Sequence, residues 1–180
     1  MKTWKSMLLI AAIVTFAATA MAQTPVIGVY FDTDGTVDHA TLDGGLGEIH
    51  TAYVCAIDAE MMVAGASFKL TMDPQILLLT ATYPVGLAVG EIAVGVDLGL
   101  TSPIAAFYGD AAVLCTLQLT TFDNLMVDAP MTIENHPNYA TPIIADSAAA
   151  LYAADGGIGY LSVVVGNEPM TFSQVKNLFN

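Results

Sequence analysis

The sequence predicts an all-β fold: two antiparallel sheets packed as a sandwich of about 8–10 strands, closed by one short C-terminal helix. Three observations predict it. After position 25 the apolar residues recur at every second position, the period of a strand. Gly, Pro and Asp punctuate these runs at short intervals. Only the last stretch of the chain changes to helical spacing.

The runs at 25–31 and 49–58 come first. The clearest alternation lies at 66–72, where Phe68, Leu70 and Met72 interleave with Ser67, Lys69 and Thr71. Asp73-Pro74 ends that strand, because Pro has no N–H for a ladder and pushes the preceding residue away from helix. A second run at 76–83 is apolar on both faces and stops at Pro84. Positions 91–98 alternate again, with Ile92, Val94, Val96 and Leu98 on one side and Ala93, Gly95 and Asp97 on the other. Further runs follow at 104–108, at 111–122 after the Gly109-Asp110 turn, and at 131–134, 143–153 and 158–165. The Ala-rich stretch 145–154 also suits a helix. Tyr152 and the Asp155-Gly156-Gly157 turn, leading straight into another run, favour strand.

After Val165 the break Gly166-Asn167-Glu168-Pro169 introduces a different pattern. Thr171 and Gln174 have capping-box spacing, and Met170 and Val175 sit where a hydrophobic staple closes. Phe172, Val175 and Phe179 recur at helical intervals. A helix this short is unstable alone, so it needs a surface to dock on.

The first 22 residues read as a secretory signal. Lys2 and Lys5 form the positive region, an apolar stretch follows from Met7, and Ala20-Met21-Ala22 is an A-x-A cleavage site. The apolar run is short for a membrane anchor, and no later segment reaches about 18 apolar residues without a charge or Pro. The expected division is therefore a signal peptide at 1–22, a sandwich at 23–166, and a linker with an amphipathic tail at 167–180. An exported chain starting at Gln23 keeps only Lys69 and Lys176 as basic side chains against 17 acids, a side-chain charge of 2 − 17 = −15. Phosphate backbones and anionic lipid repel such a surface, which excludes ordinary nucleic-acid binding. With 55% hydrophobic residues, the chain is no disordered acidic tail.

Export makes Cys55 and Cys115, the only cysteines, candidates for a disulfide. Such a bridge closes a loop of about 60 residues, worth roughly 3–4 kcal/mol on a loop-entropy model. Tyr53, Cys55 and Ile57 share one face of their run, and Val113, Cys115, Leu117 and Leu119 one face of theirs, so both thiols are expected in the same core. The alternative is two buried free thiols. With no C-x-x-C and no nearby basic group, neither suits redox catalysis.

From position 49 onward the order of signals resembles a cohesin-like domain, of the cohesin and family-3 carbohydrate-binding superfamily. Ala64-Gly-Ala-Ser-Phe-Lys-Leu-Thr-Met-Asp-Pro-Gln-Ile-Leu is similar to that family's strand, Asp-Pro turn and next strand. Gly109-Asp-Ala-Ala-Val-Leu-Cys-Thr-Leu-Gln-Leu resembles a later central strand, and Tyr152-Ala-Ala-Asp-Gly-Gly-Ile-Gly a closing hairpin. The resemblance covers about 49–165. It implies a jelly-roll topology and neighbouring strands for Cys55 and Cys115. It also implies that Ser67, Lys69 and Thr71 lie in the sheet presented to dockerin partners.

Other chemistry is thinly represented. Asp32, Asp34 and Asp38 are close enough in sequence to suggest Ca²⁺, a hard cation wanting six or more oxygens, but the run fails the EF-hand pattern. The simpler reading is an Asp-Gly turn with solvated acids. His39, His50 and His136 lack metal-ligand spacing and read as ordinary surface or turn residues. No serine sits in a G-x-S-x-G elbow. The glycines of Asp43-Gly-Gly-Leu-Gly47 lack the spacing and the lysine of a phosphate cradle. The one Trp, Trp4, lies in the leader, which leaves Tyr30, Tyr83, Tyr108 and Tyr139 as platforms for a polysaccharide. The expected function is a secreted or cell-surface, non-catalytic module that binds or assembles with proteins, self-assembly included, through a sheet face or edge. A carbohydrate-binding module and a secreted hydrolase are the rivals.

Overall fold

Alternating runs become facing sheets in the computed structural model, which describes residues 24–42, 47–122 and 125–164. The leader at 1–22 and the capping-box tail at 167–180 lie outside the described residues, and with them the expected C-terminal helix. Among the described residues there is no helix, hence none long and apolar enough to cross a membrane. The strands are β1 (Val26–Tyr30), β2 (His39–Leu42), β3 (His50–Ile57), β4 (Met61–Met72) and β5 (Ile76–Thr82). Next come β6 (Gly86–Glu91), β7 (Gly95–Ala106), β8 (Ala112–Thr121) and β9 (Leu125–Glu134). The last four are β10 (Ile143–Asp146), β11 (Leu151–Ala153), β12 (Asp155–Gly156) and β13 (Ile158–Val164).

One sheet has the order β12-β1-β3-β8-β5, the other β11-β10-β4-β9-β13-β2, with β7 pairing β4 and β6 pairing β7. Across the sandwich β1 faces β9 and β13, and β8 faces β7. The core lies between: Ile27, Val29, Val54, Leu117 and Leu119 from the first sheet meet Phe68, Leu70, Met131, Ile144 and Leu161 from the second. Each such side chain, fully buried, stabilises the fold by roughly 1.5–3 kcal/mol relative to exposure.

The sheets are not wholly antiparallel. β12 runs parallel to β1, and β2 parallel to β13. Two expected single strands fold back on themselves. The run at 143–153 becomes the β10–β11 hairpin, because Asp146 Oδ1 accepts from Ala148 N at 2.8 Å and Ala150 N at 2.9 Å while Ala149 takes a positive φ of 63°. The run at 91–98 reverses through Glu91–Val94, closed by Val94 N donating to Glu91 O at 2.9 Å. Ile92 stays buried there while Val94 is exposed, so Val94 does not share the face of Ile92, Val96 and Leu98 as expected: the turn takes it out to solvent. β5, apolar on both faces, is an edge strand with Leu77 and Leu79 exposed.

The disulfide expectation is overturned: Cys55 and Cys115 are both free and buried. The error is one pleat. The core residues of β3 are Ala52, Val54 and Ala56, so Cys55 belongs to the opposite face of its sheet. There it sits beneath the loop that carries Gly35, whose position lies against Cys55 and Ile57. Cys115 belongs to the core. It pairs with Val54, and a register shift then sets Cys55 opposite Val113. The strands are neighbours, but their thiols face opposite sides of the sheet.

Candidate functional site

Two rows of directly paired residues cross the outer face of five strands, β6-β7-β4-β10-β11. One row is Val89, Asp97, Ser67, Ile143 and Ala153; the other is Leu87, Gly99, Gly65, Ala145 and Leu151. Paired residues share a face. The residues between the rows on the three inner strands, Ala66, Leu98 and Ile144, belong to the core, so both rows point outward. The face is saddle-shaped. Leu87 and Val89 form one apolar ridge and Leu151 the other, all more than half exposed. The ridges stand roughly 19 Å apart, four inter-strand spacings of about 4.8 Å. Between them Gly99 and Gly65 carry no side chain, and Ser67 and Asp97 form a polar floor.

A depression of about 210 Å³ sits beside that floor, lined by Ser67, Asp97, Tyr139, Ile143, Ala145 and Leu151 among others. Ser67 is buried and donates from Oγ to Asp97 Oδ1 at 2.5 Å. The second oxygen, Oδ2, stands 3.8 Å from His136 Nε2, beyond hydrogen-bond reach. His136 Nδ1 accepts from Asn138 N at 3.1 Å, which places the proton of the neutral ring on Nε2. The imidazole is buried, with the Tyr139 ring tilted against it at 5.9 Å. Gly95 makes room for it: its φ is +151°, and a Cβ there would come within 2.5 Å of His136 Cδ2.

Farther along β4, Lys69 Nζ pairs with Glu134 at 2.5 Å, and Thr71 lies exposed opposite Thr132. The hydrogen bond from Lys69 holds the Glu134 carboxyl below its ordinary range against the opposing effect of burial. Ser67, Lys69 and Thr71 thus share the outer face of β4, but only Ser67 enters the depression. The cluster does not have the order of a serine triad: Ser67 donates to the Asp97 carboxylate and His136 lies on the far side of that carboxylate, so no imidazole faces the hydroxyl.

Solved structures that superpose on this framework are cohesin modules. A type I cohesin–dockerin complex from Clostridium thermocellum matches at a TM-score of 0.53 and 10% identity, covering 79% of this chain and 100% of the matched chain. The fold is cohesin-like. The cohesin module of a family 33 glycoside hydrolase from Clostridium perfringens gives 0.53 and 11%, covering 79% and 99%. A non-cellulosomal cohesin from the archaeon Archaeoglobus fulgidus gives 0.51 and 11%, covering 81% and 94%. No family model and no curated protein matches the sequence.

Elsewhere on the cohesin-like scaffold, Asp32, Asp34 and Asp38 are not brought together. The Asp32 carboxylate accepts from Thr36 N and Val37 N at 3.0 Å and from Thr36 Oγ1 at 2.5 Å, closing its own loop. Asp38 Oδ1 is 2.8 Å from His39 Nδ1, and Asp34 lines a separate cleft with Asp58 and Asp110. Among the described residues no three His, Cys, Asp or Glu side chains gather as a metal site. Tyr30 is buried, and burial first of all pushes its hydroxyl up to about 12, so it is no sugar platform. Tyr108 is exposed on the turn after β7, and Tyr139 edges the depression.

Sequence reasoning missed Asp97, His136, Ile143, Leu87, Val89 and Leu151 as parts of one site. Asp97 carried a signal, an acid near the end of an apolar alternating run. The others are recognisable only once β6, β7, β10 and β11 are known to flank β4.

Proposed function

We propose that the chain is an exported, non-catalytic β-sandwich module that binds a protein partner, dockerin-like in kind, across the β6-β7-β4-β10-β11 face. The observation that carries this reading is the saddle itself: large apolar side chains left exposed in two ridges, the kind of surface that marks a protein-binding patch. The spacing of the ridges, roughly 19 Å between strand axes, admits a helix of about 10–12 Å diameter. Solved complexes of the same fold with dockerins support a partner of that class. The n-region, apolar stretch and A-x-A site at 1–22 support export, so the module works outside the cell or on its surface. Its boundaries are taken as 23–166, with 167–180 as linker and tail.

Calorimetric titration against a panel of purified dockerin modules tests the reading. At least one dockerin binds, and Leu87→Arg with Leu151→Arg weakens it by about a hundredfold, because both ridges then carry a solvated charge. Binding that survives both arginines puts the contact elsewhere and sinks the reading.

A further inference from the structure

We propose that Asp97 selects the partner by receiving the ammonium or guanidinium group of a Lys or Arg side chain, whose aliphatic stem fills the adjoining depression. This rests on the protein-binding reading and names the side chain that the face takes.

The depression is a one-side-chain site. At about 210 Å³ it falls below the roughly 300–1,000 Å³ of small-ligand pockets. Its walls at Ile143, Ala145 and Leu151 are apolar and its end is a carboxylate. That arrangement suits a residue with an apolar stem and a charged head. Asp97 is poised as the acceptor. Ser67 holds Oδ1 and fixes the carboxylate, Oδ2 has only His136 at 3.8 Å, and the side chain is 47% exposed. Among the described residues no lysine or arginine is placed there. Lys69, the one Lys or Arg among the described residues, is engaged by Glu134. The excess of acids attracts basic groups to the molecule as a whole, and Asp97 is the carboxylate at this depression. An acidic side chain entering the same depression would meet Asp97 at close range, so one carboxylate both attracts the right partner and rejects the wrong one.

The test uses the ¹⁵N-labelled protein as secreted and three probes: the N-acetyl methylamides of lysine, arginine and norleucine. Lysine and arginine amides shift the backbone resonances of Ser67, Asp97 and Ala145 saturably, and bind about tenfold tighter than norleucine amide at low salt. Asp97→Asn keeps an oxygen for Ser67 and therefore folds, and it erases the preference. Asp34→Asn, an acid elsewhere on the surface, leaves it intact. Equal binding of norleucine and lysine amides, or a preference that survives Asp97→Asn, overturns the proposal. The dockerin panel separates the two ideas: dockerin binding without a basic-probe preference removes the Asp97 role alone, and a preference without any dockerin partner removes the partner class alone.

Discussion

Cys55 and Cys115 are alike in being fully buried and unlike in what surrounds them. Burial pushes both thiols up to about 12, and at Cys55 the carboxylates of Asp32 and Asp34 add to it. The thiolate is the nucleophile, so a neutral buried thiol is inert. Neither is alkylated by iodoacetamide in the native protein at about pH 8, both are in guanidinium, and dithiothreitol leaves the Tm unmoved. A reducing-agent-sensitive melt would restore the bridge. Thr120 offers a second residue-scale check. Its Oγ1 is buried with no hydrogen-bond partner among the described residues. Thr120→Val removes an unsatisfied group at constant shape, so stability rises by about 1 kcal/mol and Tm by about 2–4 °C. A lower Tm would reveal a partner for the hydroxyl. The sequence was legible at Phe68, Leu70 and Met72, whose polar neighbours mark the outer face. It was not at Cys55, because Tyr53, Cys55 and Ile57 alternate with the equally apolar Ala52, Val54 and Ala56. Parity then has no polar side to betray the surface, and the loop over Gly35 buries the face that parity made ambiguous.

At the scale of elements, the β10–β11 hairpin depends on one carboxylate. Asp146 accepts from Ala148 N, Ala150 N and the Tyr152 hydroxyl, and these bonds hold its carboxyl below the ordinary range, the Ala150 contact foremost. A depressed carboxyl contributes stability that is present above its unfolded value and lost as pH falls through its folded one. Asp146→Ala therefore lowers Tm by a few degrees at about pH 7 and by less in acid below the ordinary carboxylate value, where that contribution is being lost. If the proposed function holds, the same variant loosens Leu151 and weakens the proposed dockerin binding, which titration calorimetry reads; an unchanged affinity would separate the hairpin from the face. Here the sequence misled for a physical reason. Asp146-Ser147 is a turn signal, but the alanines after it fit helix, strand and turn alike, so the chemistry of one Asp decides. At Glu91–Val94 the turn is built from residues whose alternation matches a strand, and the reversal is set by Ile92 entering the core and giving its carbonyl to Leu70 N at 2.8 Å.

For the whole molecule the two-layer architecture was legible, because period-two burial has few other solutions. The saddle was not, since its rows join residues from position 65 to position 153 through pairings that no local pattern encodes. Charge also belongs to this scale. Seventeen acids face four basic residues, giving a formal charge of −13. Two salt effects then oppose each other. Added NaCl weakens the Lys69–Glu134 pair, which is partly exposed and worth about 0–1 kcal/mol at most. It also screens repulsion among all the acids at once, because the Debye length falls from about 30 Å at 0.01 M to below about 8 Å beyond physiological salt. The second effect sums over many pairs spread across the surface, and the first, among the described residues, over one lysine pair, so repulsion dominates. Melting followed by circular dichroism at about pH 7 then shows Tm climbing by several degrees between roughly 0.01 M and 0.5 M NaCl. Glu134→Gln, with one acid fewer, melts within about 2 °C of the wild type at high salt, where the lost pair is already screened. A Tm that falls with NaCl would mean that specific ion pairs, rather than the anionic excess, set the stability of this fold.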